Sequence, residues 1–312
     1  MRLAIRSIGL LAAALSGLTA QTASVLSAGY RIPEPLQVAP GQMITLFVRR
    51  PADFAEGPAV AATTPLPDTL GAISVLLRQT DWPTLISMPV QAVYPLQTCG
   101  TLAPGDCSPL VAISVQVPWQ LNPEFDQSRR PVSSAALLVR YRGIAGDPFP
   151  VQVRSDAIHV RSTCDATLPP GSDPLSATPG PCRAVAFRED GSLITAANPA
   201  RESEVVTLQF YGLGRADHAP ETGALPETPL PGPNVEVGFQ FGANLKPVRP
   251  NLPSTPREVV LAADRVGIYE VRVTVPAVPK DLPSCTASTI VSNLTITIAG
   301  AASYDGAGIC VE

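Results

Sequence analysis

Histidine is nearly absent from this chain: His159 and His218 are the two among 312 residues. A catalytic triad needs an imidazole oriented by a carboxylate and aimed at a nucleophile. No Gly-x-Ser-x-Gly elbow accompanies either histidine. There is no Cys-x-x-Cys pair, and the histidines complete no ligand cluster, so the spacing gives no zinc site. No Asp-x-Asp-x-Asp-Gly loop offers calcium ligands; Asp190-Gly191 reads as a turn. Gly212-Leu-Gly214 follows a strand pattern but lacks the third glycine and the lysine of a phosphate loop. Glu202 and Glu204 share a strand face with no opposing carboxylate, and are expected to point to solvent. The expectation is no catalytic, cofactor-binding or metal residues, and no cofactor.

Charge is also sparse. Charged residues make up 15% of the chain and the net charge is −4. No basic cluster marks a nucleic-acid face or an anionic-membrane patch. Aromatics are 5%. Trp82 and Trp119 each adjoin a proline and are expected to pack in a core or at a strand end rather than to stack on a ligand. After the first twenty residues no run is long and apolar enough to span a bilayer, so no transmembrane anchor is expected in the mature chain.

Those first residues read as an export signal. Arg2 and Arg6 precede an apolar stretch from Ile8 to Leu18, and Thr19-Ala20 offers a cleavage site. The stretch is too short for a membrane span. An exported chain with an even count of six cysteines implies disulfides. Fifteen pairings are possible in principle. The cysteines fall into near-neighbour couples, which favours Cys99–Cys107, Cys164–Cys182 and Cys285–Cys310.

Proline, by contrast, is abundant at 35 residues. Short Val-, Ile- and Thr-rich runs recur between proline and glycine clusters, the pattern of a sandwich or barrel. Two phrases occur twice in the same order. Gln42-Met-Ile-Thr-Leu-Phe47 and Ile113-Ser-Val-Gln-Val-Pro118 mark the first half; Glu204-Val-Val-Thr-Leu-Gln209 and Tyr269-Glu-Val-Arg-Val-Thr-Val-Pro276 mark the second. Expected strands of the first half are Met43–Arg49, Ala72–Arg78, Leu85–Tyr94, Leu110–Val117, Ala135–Tyr141 and Val151–Val160. Those of the second are Ala184–Arg188 and Ser192–Thr195, joined by a type I′ Asp-Gly turn, then Glu204–Phe210, Val235–Phe239, Val259–Ala262, Val266–Val275 and Thr286–Ile298. The tail after them reads as a return toward Cys310. Two proline-rich loops, Ala219–Pro233 and Pro247–Pro256, separate strands of the second half. Asn293-Leu-Thr295 has the form of a glycosylation acceptor, yet lies inside an expected strand.

The organisation expected is therefore a signal peptide over 1–20, a first immunoglobulin-like β-sandwich over 21–162, a Pro/Gly-rich cysteine-bounded connector over 163–182 and a second sandwich over 183–312. The fold class is all-β, with two tandem immunoglobulin-like β-sandwich domains.

An ordered set of blocks carries a resemblance. Glu189–Pro199, Glu204–Gly214, Glu221-Thr-Gly223, Val235-Glu-Val-Gly238, Val266–Pro276 and Ser292–Ile298 resemble, in order and spacing, an uncharacterised exported β-domain family expanded in soil acidobacteria. In the first half, Ala39-Pro-Gly41, Ile44–Phe47, Leu66–Gly71, Ser74-Val75 and Ser114–Trp119 are similar too. This chain departs from the family in its cysteines, its long proline loops and the region after Gly238. The resemblance implies immunoglobulin/IPT-like folds and an exterior location, and no activity. Together these readings predict a non-catalytic secreted or cell-surface module with a structural, adhesive or binding role toward an unknown protein or glycan partner. The competing expectation is an extracellular hydrolase or carbohydrate-binding accessory protein.

Overall fold

Alternating β-branched runs interrupted by proline can bury their apolar side chains only between sheets, because proline removes ladder donors and stops each strand early. The computed structural model describes residues 23–29, 37–51, 53–55, 57–80, 82, 84–96, 110–122, 134–163, 165, 183–243, 246–247, 250–285, 292–299 and 304–312. Every regular element among these residues is a β-strand.

The first half carries β1 (Val25–Gly29), β2 (Gln37–Val38), β3 (Met43–Arg49), β4 (Ala59–Val60), β5 (Thr69–Leu70), β6 (Ile73–Gln79), β7 (Ile86–Met88), β8 (Val90–Pro95), β9 (Leu110–Gln116), β10 (Ser134–Tyr141), β11 (Ile144–Ala145) and β12 (Phe149–Val153). They form two sheets, β1-β3-β9-β8-β4 and β2-β12-β10-β6-β5, with β7 added to β6 and β11 to β10. The second half carries β13 (His159–Val160), β14 (Ala186–Arg188), β15 (Val205–Tyr211), β16 (Leu230–Pro231), β17 (Glu236–Ala243), β18 (Lys246–Pro247), β19 (Leu252–Ser254), β20 (Glu258–Leu261), β21 (Tyr269–Thr274), β22 (Leu294–Ala299) and β23 (Tyr304–Ile309). Its sheets are β13-β15-β21-β20-β16, with β14 also on β15, and β18-β17-β22-β23, with β19 on β17.

One pairing scheme is used twice. In chain order and in neighbours, β3, β4, β6, β7, β8, β9, β10 and β12 match β15, β16, β17, β19, β20, β21, β22 and β23. A short segment also lies parallel to the last strand of each half: β2 beside β12, and Arg183 bridged to Gly308. This is the immunoglobulin-like division of strands between two facing sheets. The repeated phrases of the sequence are the paired central strands, β3 with β9 and β15 with β21. They carry the plainest pattern because they are the most enclosed. Ile44 and Leu46 of β3 and Ile113 and Val115 of β9 meet Val75 and Leu77 of β6 and Leu137 and Val139 of β10. In the second half Val206, Leu208 and Phe210 meet Phe239, Phe241, Leu294 and Ile296. The opposite face of β3 and β9 is buried as well, around Phe47, Tyr94, Leu110 and Ala112.

Several boundaries differ from the sequence reading. Leu85–Tyr94 is two strands: β7 joins one sheet and β8 the other, with Pro89 between them. Proline cannot donate to a ladder, so the run breaks and changes sheet there. Val151–Val160 also divides. β12 stays in the first half, whereas β13 pairs with β15 through His159↔Tyr211 and Val160↔Phe210. Pairing to the second half thus begins at His159. The Glu189–Gly191 turn has a positive φ at Gly191 and not at Asp190, and Arg188 N–H bonds to Ser192 O. This is a three-residue loop closed by a left-handed glycine rather than the type I′ form. The glycine-rich tail is β23, paired to β22 along its whole length from Leu294↔Ile309 to Ala299↔Tyr304. Two glycines hid its alternation.

Cys285 and Cys310 form a disulfide, with Cα atoms 5.5 Å apart. Cys99, Cys107, Cys164 and Cys182 lie outside the described residues, as does the expected signal segment. The Cys285–Cys310 bridge closes a 25-residue span, for which loop entropy gives about 3.5 kcal/mol. Replacing both cysteines by serine is expected to lower the urea unfolding free energy by about that amount. An unchanged unfolding midpoint would show that the bridge contributes nothing.

Candidate functional site

His159, the one histidine on a strand, lies beside Asp165 and Ser162. Its Nε2 is 2.8 Å from Asp165 Oδ1, and its ring stacks on Tyr211. Asp165 also accepts the Ser162 hydroxyl at 2.8 Å and the Ser162 amide at 2.9 Å. The carboxylate therefore stands between serine and histidine. A nucleophilic triad needs the imidazole in the middle, able to take the serine proton. This order instead fixes the turn after β13. His218 is exposed and remote from the cluster in sequence.

Glu202 and Glu204 behave differently from each other. Glu202 is exposed and accepts the Val278 amide at 3.1 Å. Glu204 is half-buried rather than solvated. It takes Arg188 Nη1 at 2.7 Å and the Arg201 amide at 2.8 Å. Asn293 is 1% exposed. Its amide donates to Pro283 O and Val311 O, and its oxygen accepts the Val311 amide at 2.8 Å. The acceptor-like Asn-Leu-Thr triplet thus carries a buried clamp on Val311, just past β23. Asp190 is fully exposed; hydrogen bonds from the Ser192 hydroxyl and amide hold its carboxyl below the usual range.

Among the described residues, a set of polar contacts joins the halves, which the sequence did not reveal. Buried Gln42 donates to Ala157 O at 3.0 Å. Buried Gln116 donates to Gly41 O at 3.1 Å and accepts the Gly223 amide. Gly223 O in turn accepts the Leu66 amide at 2.8 Å. Trp119 is 4% exposed and belongs to the apolar cluster of the second half. Its amide bonds to Thr222 Oγ1, and its carbonyl accepts Arg215. Tyr211, Val266 and Ile268 cross the other way, into the first core. Trp82 is half-buried against that same core. Gly212 and Gly214 also serve the junction: a Cβ there would sit 2.3 Å from Ala157 O and 2.7 Å from Ser155 O. The start of the Ala219–Pro233 loop is therefore occupied in holding the halves together.

Described residues of the second half line a groove at each of two places. One, of about 520 Å³, lies between Glu202, Pro279, Pro283, Asn293 and Val311. Asn293 and Glu202 already have protein partners there. The other, of about 510 Å³, runs over β17 and β19 between Glu236, Gly238, Asn251, Thr255 and Thr297. Among the described residues no group of His, Cys, Asp and Glu is placed to hold a metal ion, and no helix is long and apolar enough to cross a membrane.

No family model matches the chain, and no curated protein does. Among solved structures it is similar to the C-terminal domain of the Streptococcus agalactiae AgI/II polypeptide BspA. That match has 10% identity and a TM-score of 0.21, covering 93% of this chain and 97% of that one. A chain described as BspA_C_mut matches at 10% identity and a TM-score of 0.19, covering 89% and 92%. At those scores neither likeness bears on what this chain does.

Two outcomes are expected. Trp119→Ala removes an indole shared by both halves and is expected to cost about 3–5 kcal/mol. Tryptic cleavage should accelerate in both halves together; cleavage confined to one half would refute a shared junction. Tyr269 donates to Gly214 O at 2.7 Å, and burial pushes its phenol well above the usual range. Burial raises the Tyr94 phenol too. A raised folded pKa leaves stability intact below the unfolded value of about 10 and removes it as pH rises further. Unfolding followed by circular dichroism should therefore show stability flat from neutral pH to about 10 in these groups and falling above it. In Tyr269→Phe the alkaline fall should be shallower.

Proposed function

We propose that the protein is an exported, non-catalytic module that acts at the cell surface or outside the cell as a structural and binding element. The observation that carries this reading is the junction. Two immunoglobulin-like sandwiches are joined by Gln42, Gln116 and Trp119, all buried between them. Buried amides with both ends satisfied fix one relative geometry, because any other arrangement leaves a desolvated donor or acceptor unpaired. Such a stiff tandem suits the task of holding loops at a set distance and angle. The Ser162–Asp165–His159 order supports a structural role for this histidine cluster. The export reading of residues 1–20 and the loop-rich second half support a role outside the cell. Sandwich loops are where binding surfaces are usually carried.

Surface biotinylation of intact cells that express the full chain with a C-terminal epitope tests the location. The expected product is labelled by an impermeant reagent and begins close to residue 21. Retention of the whole chain inside the cell, with its first twenty residues uncleaved, would overturn the reading. Small-angle scattering tests the stiffness. The native protein should fit a single shape, and Trp119→Ala a broader distribution of distances.

A further inference from the structure

The groove over β17 and β19 has polar side chains on its walls that no described residue engages. In the ladder, Gly238 of β17 faces Pro253 of β19 on one side and Thr297 of β22 on the other. These residues share the outer face of the sheet, away from the core of Phe239 and Ile296. Gly238 forms a bare floor. A Cβ there would lie 2.3 Å from both Oδ1 and Nδ2 of Asn251, so the Asn251 amide rests directly on the glycine backbone. Glu236, Asn251, Ser254 and Thr255 line the groove, and their side chains make no hydrogen bond or ion pair with any described residue. A concave site with a few converging polar groups is the usual form of a small-ligand site.

We propose that this groove binds an uncharged, hydroxyl-rich ligand, a stretch of neutral glycan. The amide of Asn251 and the hydroxyls of Ser254 and Thr255 can each donate and accept, and Glu236 accepts only. Sugar hydroxyls, which donate and accept in turn, match that set. An anionic ligand would bring its charge against the Glu236 carboxylate. A peptide strand would need an open ladder at the floor, and β17 is already paired on both sides. Pro253 and Pro256 give the groove flat apolar walls for the C–H faces of a sugar ring. The inference goes beyond the proposed function and stands on the groove alone, whether or not the protein is exported.

The test is a binding array with the full chain. The probes are neutral oligosaccharides (β-1,3- and β-1,4-glucans, xylan, mannan and chitin oligomers), beside alginate, heparin and proline-rich peptides. At least one neutral oligosaccharide should bind, with Kd of about 1 mM or tighter. Asn251→Ala and the double variant Ser254→Ala/Thr255→Ala change exposed or half-exposed residues and should fold normally. Each should weaken that binding by about tenfold. Gly238→Ala should weaken it too, by displacing the Asn251 amide. The proposal is overturned if no neutral oligosaccharide binds, if only the anionic or peptide probes bind, or if binding survives Asn251→Ala unchanged.

Discussion

Two sandwiches strung on one chain need a reason to hold a single orientation, and here it is a desolvated set of side-chain amides. Gln42 lies against Ala157 of the connecting segment and Gly212 of the second half, and Gln116 bonds to Gly223 of the second half, where the ends of β3 and β9 come out of the first sandwich. Buried away from water, each amide must find partners or carry a penalty of about 1–3 kcal/mol. The partners are backbone groups at Gly41, Ala157 and Gly223, so the amides fix the course of three separate segments at once. Trp119 adds the apolar part of the same join by entering the neighbouring core. The inward turn of β13 toward β15, the close approach of Gly212 to Ala157 and the path of the loop through Thr222 all follow from this join.

The arrangement also divides the loops by role. The Ala219–Pro233 loop reads in sequence as a proline-rich connection between strands. Its first part is fastened to the first half through Thr222 and Gly223. The Pro247–Pro256 loop carries β19 and leaves Asn251, Ser254 and Thr255 facing a groove. Proline content alone does not separate the two, because both loops are rich in it. The difference is whether the loop lies at the end of the sandwich that meets its neighbour.

Most of the fold was legible from the residues. The central strands β3, β9, β15 and β21 stood out because the chain repeats them, and strong burial keeps their pattern clean. The breaks were harder. Pro89 separates two strands that the apolar run joined into one, and β23 looked like a tail because glycine has no side chain to alternate. The candidate sites were less legible. Glu204 was read as solvated because its strand alternates, whereas Arg188 reaches it from a strand paired alongside. Asn293 was placed inside a strand despite its acceptor-like triplet, but its role was not visible: it is buried and clamps Val311, just past β23. The junction gave no local signal, since glutamine in a strand reads as an outward polar residue.

Composition and periodicity settled the fold class of this protein: short strands and two copies of one pattern. Those properties are local, and alternation reports directly which side chains lose water. The pairing of Gln116 with Gly223, the entry of Trp119 into the neighbouring core and the gathering of Asn251 with Glu236 were decided only in three dimensions. Each joins residues far apart in the chain or on different strands, and such contacts depend on which sheet edges and ends come together after the halves have folded.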